Sequence, residues 1–203
     1  FNRVVNEVDI YNNTIIALPV YVDGGVLYYR KDLLQKYRFT HVPQKWDQFI
    51  HVCTTIVKNE SKDNPSFTGF VWQGAQYEGL MCNFLEFSGS FNGKMELTKK
   101  NLHLSSPENI EAVTFMRDLI HRYNISPQNT FTEMKEEEVR TWFQNGNALF
   151  ERNWPYAWSL HQSENSPVKN KVGISALPHS DKGSSCSTLG GWHIGISRFS
   201  DQK

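Results

Sequence analysis

The sequence lacks several features that mark common classes of nucleic-acid-binding and membrane-spanning protein. Lysine plus arginine and aspartate plus glutamate each number 21, so the formal net charge is zero and no basic stripe is present. Because phosphate contacts need clustered positive charge, nucleic acid is excluded as the expected partner. No apolar run is long enough to span a membrane, and no signal peptide opens the chain.

Motifs for catalysis and metal binding are absent as well. The three cysteines, Cys53, Cys82 and Cys186, have neither zinc-site spacing nor the number for a complete disulfide framework, although one bridge is left open. The seven histidines are dispersed, and no nucleophile elbow, phosphate-binding loop, dinucleotide fingerprint or H-E-x-x-H occurs. We therefore expect no cofactor, no metal and no catalytic residues.

The composition is that of a folded globular protein. Hydrophobic residues make up 39% and charged residues 21%, and aromatic residues are frequent at 13%. Apolar runs typical of strands alternate with segments of helical period, which predicts an α/β architecture with a sheet covered on both faces. The main helices are predicted at 46–59, 107–123 and 133–145, and the main strands at 68–72, 148–151 and 172–178. The second of these helices is expected to begin with a Ser106 cap and Pro107. Its predicted buried stripe is Ile110, Val113, Met116, Leu119 and Ile120.

One stretch organises the chain. The apolar run Ile15–Leu18 ends at Pro19, and a second run, Val26–Tyr29, suits a pleated sheet. Tyr21, Asp23 and two glycines lie between the runs. This arrangement predicts a chain that passes from one structural unit to another with polar groups at the join, and an ordinary strand-turn-strand is the alternative.

Aromatic residues recur at the ends of the predicted strands, and each has a polar neighbour. Sugar binding needs this mixture, because the apolar face of a pyranose packs on an aromatic ring while its hydroxyls need carboxylate and amide partners. In open α/β sheets, ligands bind beyond the strand ends. Trp72 and Trp158 are expected in the core instead, and His193 as a satisfied strand residue. The aromatic residues in question are Tyr21, Trp72, Tyr77, Trp154, Tyr156 and Trp192.

The acidic residues leave two further interpretations open. Asp23, Glu78 and Glu151 stand at strand ends or helix starts, where paired carboxylates could hydrolyse a glycoside. Acidic residues are common at such positions, so this signal for an enzyme is weak. The dense charge run 133–138 is interpreted as the first turns of a solvated helix, where carboxylates suit the positive end of the dipole.

Four motifs in order resemble the extracellular solute-binding proteins of sugar ABC transporters, in the maltose/trehalose-binding group of family 1. The match runs along nearly the whole chain, which itself looks like an internal fragment of a longer protein. The motifs are LPVYVDGGVLYYRKDLL at 18–34, VPQKWDQF at 42–49, RNWPYAW at 152–158, and VGISALP at 172–178 followed by GGW at 190–192.

The resemblance implies a periplasmic-binding-protein type II fold, with two α/β lobes joined by crossover strands. Residues 1–18 would then be part of the first lobe and residues 19–174 the second lobe. Residues 175–203 would hold the return crossover and another part of the first lobe. The family's ligand cleft takes residues from both lobes and closes by hinge bending.

The resemblance also implies the site residues. Tyr21 and Asp23 match ligand contacts after the first crossover, and Asp23 would accept hydrogen bonds from sugar hydroxyls. Trp154 or Tyr156 would stack on a sugar ring. Arg152 departs from what many sugar binders need and is expected to pair with Asp23 or Glu151. The remaining positions carried over are Gly191 and Trp192, and, by a looser match, Tyr77 and Glu78.

The function expected from this resemblance is that of a binding protein and not an enzyme. It would capture a sugar, a di- or oligosaccharide being the favoured class, and deliver it to the permease subunits of an ABC importer. We expect a monomer outside the cytoplasm, periplasmic or extracellular and membrane-anchored, its signal or lipoprotein segment lying outside this sequence. The alternatives are a same-fold binding protein for a non-sugar polar solute and a carbohydrate-active enzyme.

Overall fold

A computed structural model describes residues 8–97 and 102–202, without the side chains of 96, 97, 102 and 103. The described chain falls into two compact units, one formed by the residues up to Gly24 and from Leu189 onward, the other by Gly25–Thr188. The strands are β1 (Ile10–Tyr11), β2 (Thr14–Ile15), β3 (Leu18–Gly24), β4 (Val26–Arg30), β5 (Thr68–Val71), β6 (Glu96–Leu97), β7 (Leu102–His103), β8 (Ala148–Asn153), β9 (Val172–Ser175) and β10 (Leu189–Ile194). The helices are α1 (Lys31–Lys36), α2 (Trp46–Glu60), α3 (Glu78–Ser90), α4 (Pro107–His121), α5 (Glu136–Gln144) and α6 (Ala157–His161).

The unit Gly25–Thr188 is built on a four-stranded mixed sheet. The strand order is β5-β8-β4-β9, with β5 and β8 parallel and β4 antiparallel to both of its neighbours. Successive side chains of a strand point to opposite faces, and Leu27 and Tyr28 of β4 accordingly enter two different hydrophobic clusters. Phe70 and Val71 of β5 divide in the same way. The predicted α/β sheet covered on both faces is confirmed.

The larger cluster contains a chain of aromatic contacts. Phe49 on α2 lies 4.5 Å from Phe150 and 5.1 Å from Phe70, measured between ring centroids. Trp46 stacks on Phe87 at 5.2 Å and donates its indole N–H to the Ser90 hydroxyl. These contacts fix α2 and α3 to the sheet, and with them the strand ends that carry several candidate site residues.

The other unit is a pair of two-stranded ribbons, β1–β2 and β3–β10, both antiparallel. The register of β3–β10 shifts between Trp192 and His193, which marks a bulge. His193 Nδ1 lies 2.6 Å from the buried carboxylate of Asp9, so the expectation of a satisfied strand histidine is confirmed. Many large apolar side chains of this unit are exposed, among them Leu18, Val20, Leu189, Ile194, Ile196 and Phe199.

The compact units do not end where the lobes were predicted to end. The predicted second lobe was 19–174, whereas the compact unit is Gly25–Thr188. Strand β3 makes its ladder with β10, which assigns 18–24 to the smaller unit. The segment after β9 packs back on the larger unit, where Ser180 bonds to the Ser90 carbonyl and Thr188 to the Cys82 carbonyl. That the two units are parts of the two lobes stays a prediction.

Helix boundaries agree with the sequence where a cap is explicit. Ser106 caps α4 by accepting the Asn109 N–H, and Pro107 occupies the first turn, as predicted. The predicted buried stripe of this helix was partly wrong, because Ile110 and Val113 are exposed and Ala112 is buried beside Met116. The stripe is rotated because the helix buries the face that meets α3 and the sheet.

Two further expectations were wrong. Helix α5 begins at Glu136, three residues after the predicted start at 133, and Met134 ahead of it is buried against the smaller cluster. Trp158 is 40% exposed, whereas Trp72 is fully buried as expected. The three cysteines, all inside the described residues, carry free thiols.

Candidate functional site

The β3–β10 ribbon brings four of the predicted ligand contacts together. Trp192 lies directly opposite Tyr21, Gly191 opposite Val22, and Asp23 opposite Gly190. Tyr21 and Asp23, two positions apart, share one face of β3. Trp192 is 67% exposed, so its indole is a surface group of this unit and not part of a core. Partial burial raises the pKa of the Asp23 carboxyl.

Gly191 has a backbone reason to be glycine. Its φ of +141° is a conformation that L side chains rarely adopt, and an added Cβ would clash with the Tyr21 carbonyl oxygen. The ladder between β3 and β10 therefore requires glycine here with or without a ligand. Its predicted role as a ligand contact stays a prediction.

The other four predicted residues belong to the unit Gly25–Thr188, and three of them surround the start of α5. Trp154 follows β8, and its indole Nε1 lies 3.4 Å from the Glu136 carboxylate. The hydroxyl of Tyr156 donates to Glu137 at 2.7 Å. The Tyr77 ring lies under the Lys135 ammonium, 5.7 Å from the centroid. Three aromatic rings and two carboxylates thus converge on one helix N-terminus.

The backbone at Trp154 is held by its neighbours. The Asn153 side chain accepts the Trp154 N–H at 2.8 Å and donates to Glu151 at 2.6 Å. Tyr28 on β4 donates its hydroxyl to the Trp154 carbonyl at 3.0 Å. The end of β8 is therefore fixed by side chains of the sheet, and the indole projects from a rigid support.

Both tyrosines at α5 are neutral, and the Tyr156 hydroxyl is hydrogen-bonded. Burial, followed by the adjacent Glu136 carboxylate, raises the pKa of Tyr77 far above its usual value. Burial and the hydrogen bond to Glu137 do the same for the pKa of Tyr156. The Glu137 pKa is lowered, chiefly by Arg140 and then by Tyr156, so Glu137 stays ionised and is available to accept hydrogen bonds.

Glu78 is the fourth predicted residue of the larger unit, and it lies outside the group around α5. It opens α3, and its Oε1 accepts the thiol hydrogen of Cys82 one helical turn later at 2.9 Å. Burial and this carboxylate raise the pKa of Cys82 to about 12, which keeps the thiol protonated. Glu78 stays a predicted ligand contact with an exposed side chain.

Arg152 has a different partner from the two predicted for it. It forms a bidentate ion pair with Glu86 on α3, at 2.8 Å for Nε and 2.5 Å for Nη2, and both side chains are buried. Glu151, the neighbouring residue on β8, points to the opposite face and pairs with the buried His161 at 2.7 Å. The alternation of strand side chains sends Arg152 and Glu151 to opposite sides of the sheet.

Sequence reasoning missed several residues of this site. Lys135, Glu136 and Glu137 were interpreted as part of a solvated face, although they contact all three aromatic residues. The signal that could have found them is their position at the start of α5, because polar groups converge where a helix begins near the end of a strand. Among the described residues, no group of three His, Cys, Asp or Glu side chains could hold a metal ion.

Residues 3–203 match a model of the family described as "Bacterial extracellular solute-binding protein". This chain belongs to that family. Family membership confirms the resemblance found in the motifs, and an extracellular or periplasmic location follows from it.

Individual relatives of this solute-binding protein support the family assignment. A "Probable ABC transporter-binding protein" of Deinococcus radiodurans is 38% identical over 196 residues, 94% of this chain and 46% of that protein. The solved structure of "Maltose bound T. maritima MalE3" is 45% identical with a TM-score of 0.91, and the match covers 100% of this chain and 50% of that one. A solute-binding protein of Thermotoga lettingae bound with α-D-tagatose shares the fold, with a TM-score of 0.83 at 24% identity over 96% of this chain and 48% of that one.

These relatives bear on the remaining expectations. The chain spans about half the length of the relatives it matches. The partial type II fold is confirmed, and the chain belongs to a family of solute-binding proteins, as the motifs indicated. Maltose is the ligand of one of these three relatives, whereas trehalose is named for none of them. No helix in the described part of this solute-binding protein has the length and apolar character to cross a membrane.

Proposed function

We propose that this chain is part of the substrate-binding component of an ABC importer and that it captures a di- or oligosaccharide, with maltose as the first candidate. The observation that carries the proposal is the group around α5, where Tyr77, Trp154 and Tyr156 lie beside the carboxylates of Glu136 and Glu137. The 45% identity with the maltose-bound MalE3 supports the choice of sugar.

The chemistry of this group suits a pyranose. Trp154 has a flat, partly exposed ring on a rigid support, which provides an apolar face for stacking. Ionised Glu137 is a stronger hydrogen-bond acceptor than a neutral group. Its Oε2 already accepts from Arg140 and its Oε1 from Tyr156, so Oε1 is the oxygen that would accept a sugar hydroxyl. A sugar that fails to pair these groups leaves them desolvated, which is the basis of discrimination.

The ribbon residues Tyr21, Asp23, Gly191 and Trp192 are proposed ligand contacts, as are Tyr77 and Glu78. Asp23 would accept hydroxyl hydrogen bonds, and Trp192 would offer a stacking ring. The group around α5 and the ribbon are each built from neighbouring residues of one compact unit.

The proposed partners are the permease subunits of an ABC importer, to which the loaded protein delivers its sugar. We further propose that the protein is a monomer and that it is anchored to the membrane by a segment outside this sequence. The D. radiodurans relative, described as a transporter-binding protein, supports the link to an importer.

A thermal-shift screen of the complete protein tests the proposal. A ligand bound only to the native state raises the melting temperature, by an amount that grows with its concentration over Kd. Maltose is expected to raise it, and Trp154→Ala is expected to abolish most of the rise when each protein is compared with its own unliganded melting temperature.

The control is a panel of polar solutes that lack a pyranose ring, including one quaternary ammonium compound. A rise with a charged solute and with no sugar would replace the proposal by the alternative of a non-sugar binding protein, whose cation would be held by aromatic rings and Asp23. A rise with maltose that Trp154→Ala leaves unchanged would remove the group around α5 from the site.

A further inference from the structure

The buried pair of Arg152 and Glu86 lies at the centre of a network of buried polar side chains in the larger unit. Both guanidinium nitrogens that face Glu86 are paired, and a third nitrogen lies 3.2 Å from the Gln73 amide oxygen. The Gln73 amide donates to the Arg152 carbonyl, and Asn83 donates to the same Gln73 oxygen. Gln73 and Asn83 are also buried, so the network contains four polar side chains in the interior.

Stability alone does not explain such a network. The cost of removing two charges from water offsets much of their attraction, and well-packed apolar side chains of similar volume often serve equally well. A buried ion pair is therefore weak evidence of a stabilising role. A fixed planar geometry, however, is something that apolar replacements would not provide.

The geometry extends from this network to the candidate sugar-binding ring. The central carbon of the Arg152 guanidinium lies 4.0 Å from the centroid of the Trp154 ring. Arg152 is buried, so the indole face it covers is closed to ligand. The indole edge is held separately by Glu136.

The same ion pair is also contacted by the segments that lie next to the boundary between the two compact units. The Thr188 N–H donates to Glu86 at 3.0 Å, and the Ser187 hydroxyl donates to the Gly25 carbonyl at 2.7 Å. An added Cβ on Gly25 would clash with both Glu86 and Arg152. Gly25 and Thr188 are the first and last residues of the larger unit.

We infer that Arg152, oriented by Glu86, is a positioning residue that holds the Trp154 ring for sugar stacking and ties it to the chain segments at 25 and 187–188. The inference rests on the proposed function. Arg152 acts through Trp154 and not through direct contact with the ligand, because its side chain is 1% exposed.

The test uses Arg152→Lys in the complete protein, since lysine keeps the charge but loses the planar fork and the flat stacking surface. Isothermal titration calorimetry with maltose is expected to give a Kd about tenfold higher, because the stacked cation–π contact and the bidentate ion pair are lost. The matched control is Asp32→Asn, which breaks the bidentate Arg30–Asp32 pair of the same unit and is expected to change Kd less than twofold.

A double-mutant cycle separates positioning from general damage. If Arg152 acts through the ring, Arg152→Lys changes Kd by less than twofold once Trp154→Ala has removed that ring. The inference would be overturned if Arg152→Lys lowered the maltose affinity tenfold both in the parent and in Trp154→Ala, or if it did not lower the affinity of the parent. Glu86→Gln, which loosens the guanidinium without removing it, is the substitute should Arg152→Lys fail to fold, with a smaller loss expected in the same direction.

A readout without ligand distinguishes this inference from the proposed function. In protein labelled with 5-fluorotryptophan, the Trp154 resonance is assigned by its loss in Trp154→Ala. Arg152→Lys is expected to shift and broaden that resonance, and Asp32→Asn to leave it in place. Failure of every sugar in the thermal-shift screen to bind the parent would refute the proposed function, and an unmoved Trp154 resonance would refute the positioning role.

Discussion

The two compact units hold their candidate ligand-binding residues in different ways. Every residue of the two hydrophobic clusters lies between Leu27 and Leu177, inside the larger unit. The described side chains of the smaller unit are mostly exposed, and Asp9 is the one buried charged group among them. The larger unit therefore supports its aromatic residues with packed side chains, whereas the ribbon supports Tyr21 and Trp192 with backbone hydrogen bonds.

This difference has a physical consequence for binding. A two-stranded ribbon is marginal in stability by itself, so its side chains keep much of their rotamer freedom until something covers them. Trp154 has lost that freedom before any ligand arrives, because Arg152, Glu136 and Tyr28 hold its ring and its carbonyl. Ordering a side chain on binding costs affinity, so the larger unit is expected to supply the preorganised part of the site.

The largest expected difference is between core and ribbon truncations. Phe150→Ala, at a fully buried ring in contact with Phe49, should lower the free energy of unfolding by about 3–5 kcal/mol. Trp192→Ala should lower it by less than about 1 kcal/mol, because the ring is 67% exposed, while weakening sugar binding. Denaturant unfolding without ligand measures both. Equal losses would make Trp192 a core residue and break the comparison.

Two adjacent glycines test the boundary between the units. Gly25→Ala should cost about 1–3 kcal/mol of unfolding free energy, because the added methyl clashes with the buried Glu86 and Arg152. Gly24→Ala is the matched control and should stay within about 0.5 kcal/mol, since nothing lies within 4 Å of its added Cβ. Thermal unfolding of both variants gives the answer. A larger loss for Gly24→Ala would mean that the boundary is misplaced.

The pH dependence of stability should distinguish a core carboxylate from a ribbon carboxylate. Burial raises the pKa of Glu151, with His161 opposing the shift, so the folded state favours the protonated acid. Its contribution to stability is complete below the unfolded pKa near 4.5 and is lost as the pH rises through the folded pKa. The melting temperature of the parent minus that of Glu151→Gln should therefore fall from pH 4 to pH 7, as rough bounds of this window.

Asp23 provides the comparison for that experiment. Its pKa is also raised by burial, so the sign is the same, but the carboxyl is much more exposed and the effect should be smaller. The melting-temperature difference between the parent and Asp23→Asn is measured over the same pH range. A steeper slope for Asp23→Asn than for Glu151→Gln would show that the ribbon carboxylate is the more strongly desolvated one.

The smallest expected effects concern the exposed tyrosines of each unit. Tyr156→Phe removes the hydrogen bond to Glu137 and should cost less than about 1 kcal/mol of stability. Tyr21→Phe should lower the stability by even less, because the Tyr21 side chain on the ribbon is 45% exposed. If the Tyr156 ring and not its hydroxyl contacts the sugar, Tyr156→Ala should lower the maltose affinity more than Tyr156→Phe does. Titration calorimetry of the two variants measures this difference.

Local sequence signals predicted much of the fold. The serine cap and proline at Ser106–Pro107 start α4 where expected, because capping depends on neighbours within one turn. Trp72 was correctly predicted to be core, whereas the predicted unit boundary after residue 18 differs from the observed division between Gly24 and Gly25. Ile110 and Val113 were misassigned, because helical period alone does not say which of two overlapping apolar stripes meets a neighbour.

The candidate site was predicted less completely. The aromatic residues were found because their strand-end positions show in the sequence. Glu136 and Glu137 were missed, because a charged helix start has the same local pattern in solvent and in a site. The pairing of Arg152 with Glu86 spans 66 positions along the chain, and no local rule connects residues so far apart.

By itself, the sequence determined the α/β class and the family, since these follow from periodicity, composition and motifs read in order. Only the tertiary structure decided the partners of the candidate site residues. Strand alternation sent Glu151 to His161 and Arg152 to Glu86, and the packing of α3 on the sheet placed the Arg152 guanidinium on the Trp154 face. Such contacts depend on register and burial, which are set by the whole fold and not by neighbouring residues.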